Sequence, residues 1–303
     1  MEHPEPRQAL AHDFGSAEAL ISVRFNRSFP FMPALKLLQA ASTGINSILL
    51  DTVPAGVPVC NAYGHQIAVA EYAILGMLVC ARDLLRTHRR FARGKWHESE
   101  TGVIPTYGEV YGKTVCIIGL GRIGLETAGR AKALRMRVIG CNRTTDRKMP
   151  NVDELSDLSG IVACVARADF VVVACALTEE TRGIVDSRVL GAMKRTAFIV
   201  NVGRGPLIDE SHLYEALLTG QIGGAVLDVW YRYPNQENPH PPPSKFPFHE
   251  LDNVIITPHV SGWTDGMLER RWSEIATNLD NLALGKALIN LSGVGCAKAV
   301  PQP

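Results

Sequence analysis

Apolar positions in this chain fall into short β-favouring runs that alternate with segments of helical period. Residues 19–25 (ALISVRF), 47–50 and 57–60 read as short strands, and 32–41 as a short helix led in by Pro30 and Pro33. Residues 69–96 form the longest helical pattern, apolar first and basic later, with Gly76 inside it; 97–111 read as polar loop. From Lys113 the rhythm becomes regular. Strands are predicted at 115–118, 137–140, 169–174, 197–201, 224–228 and 254–257. Helices are predicted at 123–134, 152–158, 187–193, 211–219 and 264–284, with a further helical turn reaching Ala166. The proline-rich stretch 234–247 cannot be regular structure. Residues 1–16 show no period and read as a tail. Strands alternating with helices imply an α/β fold with a doubly wound parallel sheet.

The strand at 115–118 runs straight into Gly119, Gly121 and Gly124, in G-x-G-x-x-G spacing, and then into the helix-forming ETAGRAKALRM. The first glycine allows the tight turn, the second lets a pyrophosphate approach the backbone, and the third lets helix and strand pack closely. The new helix aims its N–H groups and positive dipole end at the phosphates. A plain glycine-rich turn is the alternative, but the loop ends a buried strand and opens a helix, which is the arrangement a dinucleotide site requires.

At 303 residues the chain is too long for one ordinary core, and two domains are expected. Lysine and arginine exceed acidic residues by 31 − 30 = 1, so no global charge favours nucleic acid or a membrane surface. The local run His88-Arg89-Arg90 fits a solvated helix end or a phosphate-facing surface better than DNA binding. Seven cysteines, none in CxxC, lie mostly in apolar runs, as buried free thiols do in a reducing cytoplasm. No metal site is expected. The polar N-terminus MEHPEPRQ is unlike a signal peptide, and no apolar run is long enough to span a bilayer.

Ligands of such sheets sit beyond the carboxyl ends of the strands. Strand 197–201 is followed by Gly203-Arg204-Gly205, strand 224–228 ends in Asp228, and strand 254–257 leads to His259. An arginine can hold a carboxylate in a bidentate fork and polarise a neighbouring carbonyl. A histidine exchanges a proton near neutral pH. Asp228 could accept from a nicotinamide amide. Singly, these are also an ordinary turn arginine, a loop histidine and a strand terminator. Their convergence at successive strand ends of a dinucleotide domain favours chemistry.

On these residues the chain resembles the D-isomer-specific 2-hydroxyacid dehydrogenases, from about Ala19 to Leu291. The likeness rests on GKTVCIIGLGRIG (112–124), LTEETRGIV (177–185), MKRTAFIVNVGRGPLID (193–209), GGAVLDVW (223–230) and NVIITPHVSG (253–262). It implies a Rossmann cofactor domain (73–272) inserted into a smaller flavodoxin-like α/β substrate domain (1–72 and 273–303), with substrate taken at the interdomain cleft. Residues 1–16 are too short and polar to supply the strand–helix unit that the family places before ALISVRF, so the substrate domain is expected to be N-terminally shortened, unless the start is placed late. It implies Arg204 as the substrate-binding arginine and His259 as the acid/base. Thr43 and Gly44 match a turn whose N–H groups hold the substrate carboxylate. Gly119, Gly121, Arg122, Ile123, Gly124, Thr181, Val202, Asp228 and Gly262 match cofactor positions. A homodimer assembled through the cofactor domains is implied, with 69–93 at the interface.

Two departures bear on function. The family usually places a glutamate five residues after the motif aspartate, followed by proline, where it pairs with the histidine. Here Tyr233 precedes Pro234, and a neutral phenol supplies no anion. The formate dehydrogenase branch also lacks that glutamate, having glutamine. Glu237 lies nearby in a different slot. At the end of the second cofactor-domain strand, NAD-preferring relatives carry an acidic residue; here Asn142-Arg143 stand there, Asn142 at 142 − 124 = 18 past the last glycine. Arg143, with Arg147 and Lys148 near it, can bind a 2′-phosphate, although a solvated turn arginine would look the same. The expected cofactor is therefore NADP in preference to NAD. The expected activity is reduction of a glyoxylate- or hydroxypyruvate-like 2-keto acid to a D-2-hydroxy acid, or the reverse. A formate-type dehydrogenase and a non-catalytic dinucleotide-sensing protein are the alternatives. The substrate pocket is expected to include Tyr63, His65, Tyr231 and Tyr233.

Overall fold

A computed structural model describes residues 11–95, 106–235 and 237–297. The chain forms two compact units, one made of the described residues up to His65 and from Thr264 onward, the other of Gln66–Trp263. Both crossings fall at helix ends, because a helix buries and hydrogen-bonds as one piece.

Ala11–Ser16 is a short helix (α1) where a tail was expected. Strands β1 (Ala19–Ser22), β2 (Leu37–Ala40) and β3 (Pro58–Cys60) pair in parallel, in that order. Residues 37–40 therefore correct the helix expected over 32–41. The run LLQA is buried at all four positions and sits between two strands, and this tertiary pairing decides a short apolar run that either period fits. Residues 47–50 are likewise a turn rather than a strand, with an isolated bridge between Ile48 and Phe25. Phe25, Met32, Leu38, Ile48, Val53 and Val59 form this unit's core.

The second unit opens with α2 (Gln66–Ala81) and α3 (Leu84–Phe91). The single helix expected over 69–96 is thus two. Asp83 at φ 45° takes a left-handed turn between them, and Trp96 lies outside the described residues. Gly76 lets α2 lie on the sheet, since a Cβ there would meet Val226 at 3.1 Å. The sheet then builds from β4 (Thr114–Ile118), α4 (Arg122–Ala133), β5 (Arg137–Cys141), β6 (Glu154–Ser156), α5 (Ile161–Val165), β7 (Phe170–Val173), α6 (Ser187–Ala192), β8 (Phe198–Asn201), α7 (Glu210–Leu218), β9 (Gly224–Leu227) and β10 (Val254–Ile256). Its seven parallel strands run in the order β10-β9-β8-β7-β4-β5-β6. The order reverses between β4 and β7, which defines the ligand crevice of a Rossmann sheet. Alternate residues of the central strands enter opposite cores: Cys116, Ile118, Val171 and Val173 face one, and Val115, Ile117, Phe170 and Val172 the other. The helix expected at 152–158 is instead edge strand β6, where half-buried Glu154–Ser156 hydrogen-bonds along β5. All seven cysteines are free, and Cys116, Cys141 and Cys164 share one core.

The chain returns to the first unit as α8 (Asp265–Ala283), whose first turn is capped by the Thr264 hydroxyl accepting from Met267 N–H at 3.2 Å. Strand β11 (Leu291–Val294) then closes the small sheet antiparallel to β3. It carries no apolar alternation, and its residues are largely exposed, so the sequence pattern does not announce it. A buried Asn278–Gln39 hydrogen bond of 2.7 Å ties α8 to β2. Among the described residues no helix is long and apolar enough to cross a membrane.

Candidate active site

The glycine loop is built as its spacing requires. Gly119 sits at φ 95°, and a Cβ there would meet the Cys175 backbone at 2.5 Å. A Cβ on Gly124 would lie 2.0 Å from the Gly119 carbonyl oxygen. Gly121, the N-cap of α4, has no atom within 4 Å of where its Cβ would stand. That open face at a helix N-terminus fits the close approach of a pyrophosphate. Arg122 is exposed on the first turn of α4, and Ile123 packs partly buried against the core.

Asn142 faces inward. Its Oδ1 accepts from Leu120 N–H at 3.1 Å, and its Nδ2 donates to the Thr144 carbonyl at 2.9 Å. It therefore fixes the glycine loop. Arg143 is left exposed, 4.0 Å from Glu180 of the loop after β7. In that loop the buried Thr181 hydroxyl donates to the Ala176 carbonyl at 2.6 Å and accepts from Thr178 N–H at 2.8 Å. Thr181 thus holds the loop's shape.

After β8, Asn201 brackets the turn: its Oδ1 accepts from Gly203 N–H and its Nδ2 donates to the Arg204 carbonyl, each at 3.1 Å. A Cβ on Gly203 would strike Leu207, and one on Gly205 would lie 2.3 Å from the Trp230 carbonyl oxygen. Two close-packed glycines thus hold the turn while the Arg204 side chain stands exposed between them, Nη1 donating to the Gly203 carbonyl at 2.8 Å. Val202 is buried beside it.

After β9, Asp228 is fully buried. Its Oδ1 accepts from the Thr257 hydroxyl at 2.6 Å and from Val260 N–H at 2.8 Å, and its Oδ2 accepts from Ser261 N–H at 3.0 Å. Both oxygens therefore grip the loop that comes after β10, and Gly262 continues that loop. His259 lies inside the grip at φ 58°, a left-handed conformation that costs a non-glycine residue about 1–2 kcal/mol. The indole N–H of Trp230 adds a bond of 2.9 Å to the Thr257 carbonyl. The Tyr72 hydroxyl meets the Thr257 hydroxyl at 2.6 Å.

His259 is solvent-exposed at its surface, but the loops packed around its ring partly desolvate it and push it below its ordinary value; the Asp228 charge opposes this and the Arg204 charge adds to it. The same two charges act on Tyr233, whose phenol is raised chiefly by burial. The Tyr233 ring centroid is 5.5 Å from that of His259, the rings tilted by 56°. Tyr233 accepts from Trp230 N–H at 3.1 Å. Arg204, Asp228, Tyr233 and His259 are thus brought together from three loops. An anion acts on the histidine after all, from Asp228 rather than from position 233. Glu237 stands exposed. Tyr231 departs from its expected place in a substrate pocket: its ring packs against the core and its hydroxyl donates to the Ile208 carbonyl at 3.1 Å.

The segment Tyr72–Trp263 contains all of these groups. Residues 74–261 match the family model described as D-isomer specific 2-hydroxyacid dehydrogenase, NAD binding domain. The chain belongs to this family. A D-3-phosphoglycerate dehydrogenase from Methanocaldococcus jannaschii is 34% identical over 85% of the chain and 47% of its own length. The chain thus spans about half the length of that relative. A glyoxylate reductase from Pyrococcus horikoshii is 32% identical over 90% of the chain and 82% of its own length. Among solved structures, an NADPH-dependent glyoxylate/hydroxypyruvate reductase from Sinorhizobium meliloti in complex with NADP and sulfate shares 25% identity at a TM-score of 0.71, covering 86% of this chain and 79% of that one.

In the first unit of this dehydrogenase-family chain, the Thr43 hydroxyl donates to the Ala62 carbonyl at 2.8 Å. With its one proton so placed, it accepts from His65 Nδ1, 3.1 Å away, which assigns that proton to Nδ1. Asn61 Nδ2 donates to the Thr43 carbonyl at 2.8 Å, and the Ser42 hydroxyl to the Gly44 carbonyl at 2.7 Å. The turn is thereby held by side chains, and Gly44 is exposed. Tyr63 N–H donates to Glu274 at 2.7 Å.

Sequence reasoning missed Tyr72, Thr257 and the role of Trp230. Thr257 carries a readable signal, since it precedes Pro258-His259 at a strand end. Nothing in the sequence of α2 distinguishes Tyr72.

Proposed function

We propose that this protein is an NAD(P)-dependent oxidoreductase that interconverts a small 2-keto acid of the glyoxylate or hydroxypyruvate kind and the D-2-hydroxy acid. The observation carrying this reading is the convergence of Arg204 and the Asp228-tethered His259 on the strand ends beside the open glycine loop. Arg204 binds the acid and polarises its carbonyl. His259 gives a proton to the carbonyl oxygen in reduction and takes one from the hydroxyl in oxidation. A bound nicotinamide supplies or accepts the hydride at the carbonyl carbon. Thr43 and Gly44 are the proposed carboxylate-binding turn of the first unit. Turnover assays with glyoxylate, hydroxypyruvate, phenylpyruvate and formate test the reading. Turnover of a 2-keto acid is expected; turnover of formate alone, or of none, selects a formate-type enzyme or a dinucleotide sensor.

NADP is the proposed preferred coenzyme, with Gly119, Gly121, Arg122, Ile123, Gly124, Thr181, Val202 and Gly262 around it. Asn142 fixes the loop, no carboxylate stands after it at position 143, and Arg143 is exposed to receive a 2′-phosphate. One charge-assisted bond of this kind corresponds to roughly 10- to 100-fold in kcat/KM for NADPH over NADH. Arg143→Ala should remove most of that ratio and leave NADH kinetics nearly unchanged. Equal use of the two coenzymes by the unmodified protein would contradict the assignment.

The same family reading proposes a homodimer through α2 and α3. Leu75, Leu84 and Phe91 are each more than half exposed there, and α3 has no buried residue. Sedimentation at micromolar concentration should show a dimer, and Leu84→Asp with Phe91→Asp should shift it toward monomer. A monomeric unmodified protein would rule the interface out.

A further inference from the structure

We propose that Tyr72 is a positioning residue for His259, acting through Thr257 and Asp228; this rests on the proposed role of His259 as the proton-transferring group. The direction of the chain of hydrogen bonds is set by proton counting. Asp228 is an acceptor when ionised, so the Thr257 hydroxyl donates to its Oδ1 across 2.6 Å. Thr257 has a single hydroxyl proton, so across the other 2.6 Å the Tyr72 hydroxyl is the donor. Tyr72 therefore allows Thr257 only one orientation, the one that serves Asp228.

Asp228 is the point where this matters. Its two oxygens take three donors: the Thr257 hydroxyl, Val260 N–H and Ser261 N–H. The last two flank the C-terminal side of His259, whose φ of 58° needs an external hold. The groups that face His259 are Asp228 after β9, Arg204 after β8 and the neutral Tyr233 ring in the loop beyond Asp228. Tyr72 reaches this set from α2, 185 residues away in sequence from the threonine it bonds. Each donor on Asp228 draws off part of its negative charge. Chained donors strengthen one another, so the phenol reinforces the threonine's share. Losing a donor leaves more uncompensated charge to favour the imidazolium.

The test is the titration of the His259 ring by NMR in the coenzyme-free protein, its signal assigned by its loss in His259→Gln, together with the pH dependence of 2-keto acid reduction. Thr257→Val should raise the His259 midpoint by about half a pH unit. It should lower kcat by roughly tenfold with KM changed less than about twofold, as misplacement of a proton donor does. Tyr72→Phe should move both in the same direction by less, and Thr257→Ser should restore both. Because Tyr72 acts through Thr257, the double variant Tyr72→Phe/Thr257→Val should match Thr257→Val alone. An unmoved midpoint in Thr257→Val, or a double variant whose shift is the sum of the two, overturns the proposal. The NMR arm needs no turnover. Shifted midpoints in a protein that reduces no 2-keto acid would leave the relay standing and overturn the catalytic reading.

Discussion

Arg204→Ala is expected to lower kcat/KM for the 2-keto acid by roughly 30- to 5,000-fold, the equivalent of losing a charge-assisted substrate contact of about 2–5 kcal/mol. The turn that carries Arg204 is held by Asn201 and by two glycines packed against Leu207 and Trp230, none of which the substitution touches. The exposed side chain makes one bond, to the carbonyl of the preceding residue. Thermal stability and coenzyme KM should therefore stay close to those of the unmodified protein. Arg204→Lys separates charge from shape: a lysine keeps the charge but loses the planar fork, so it should recover only part of the loss. Near-normal kcat/KM in Arg204→Ala would remove this residue from the site. Removing Arg204 also takes away a charge that depresses His259, so the histidine should titrate slightly higher in this variant.

Much of this site was legible in the chain because its signals are short-range. Gly119, Gly121 and Gly124 announce themselves by spacing; a Cβ on the first or third would clash, and the second faces open space. Arg204 and His259 stand out because each lies just past the end of a buried strand. The departures at 37–40 and 154–156 share one physical cause. LLQA at 37–40 and the stretch around 154–156 are too short for periodicity to separate helix from strand, and pairing with a neighbouring strand decides them. The break at Asp83 hides because its neighbours all favour helix, while a single left-handed residue ends the first helix. The electrostatics were only half visible. The missing glutamate at position 233 can be read directly, but Asp228 acting as the anion cannot. That role depends on the loop after β10 folding back over β9, and on Tyr72 and Trp230 holding it.

The pH dependence of the proposed reaction should follow that arrangement, and His259 is where it should be measured. His259→Gln should lower the rate of 2-keto acid reduction by roughly 10²- to 10⁴-fold, the usual worth of a placed acid/base. In the unmodified protein, partial desolvation outweighs Asp228, so the ring titrates below its ordinary value of about 6.5. In the proposed reaction, reduction uses the protonated ring. Its kcat/KM, which reports the free enzyme, should therefore decline as pH rises through a midpoint below about 6.5. Oxidation uses the neutral ring and should rise through the same midpoint. Tyr233→Glu places a carboxylate where a ring now lies 5.5 Å from His259 and should move both limbs to higher pH. Tyr233→Phe should leave them in place, because a phenol titrates at about 10 and carries no charge in this range. Glu237→Gln should also leave them in place, since the charges that act on His259 come from Asp228 and Arg204. A shift in Glu237→Gln without one in Tyr233→Glu would instead mean that the proline-rich loop folds back to supply the anion. If His259→Gln keeps the declining limb, another group is the proton donor, and the roles assigned to Asp228 and Thr257 in reduction fall with it.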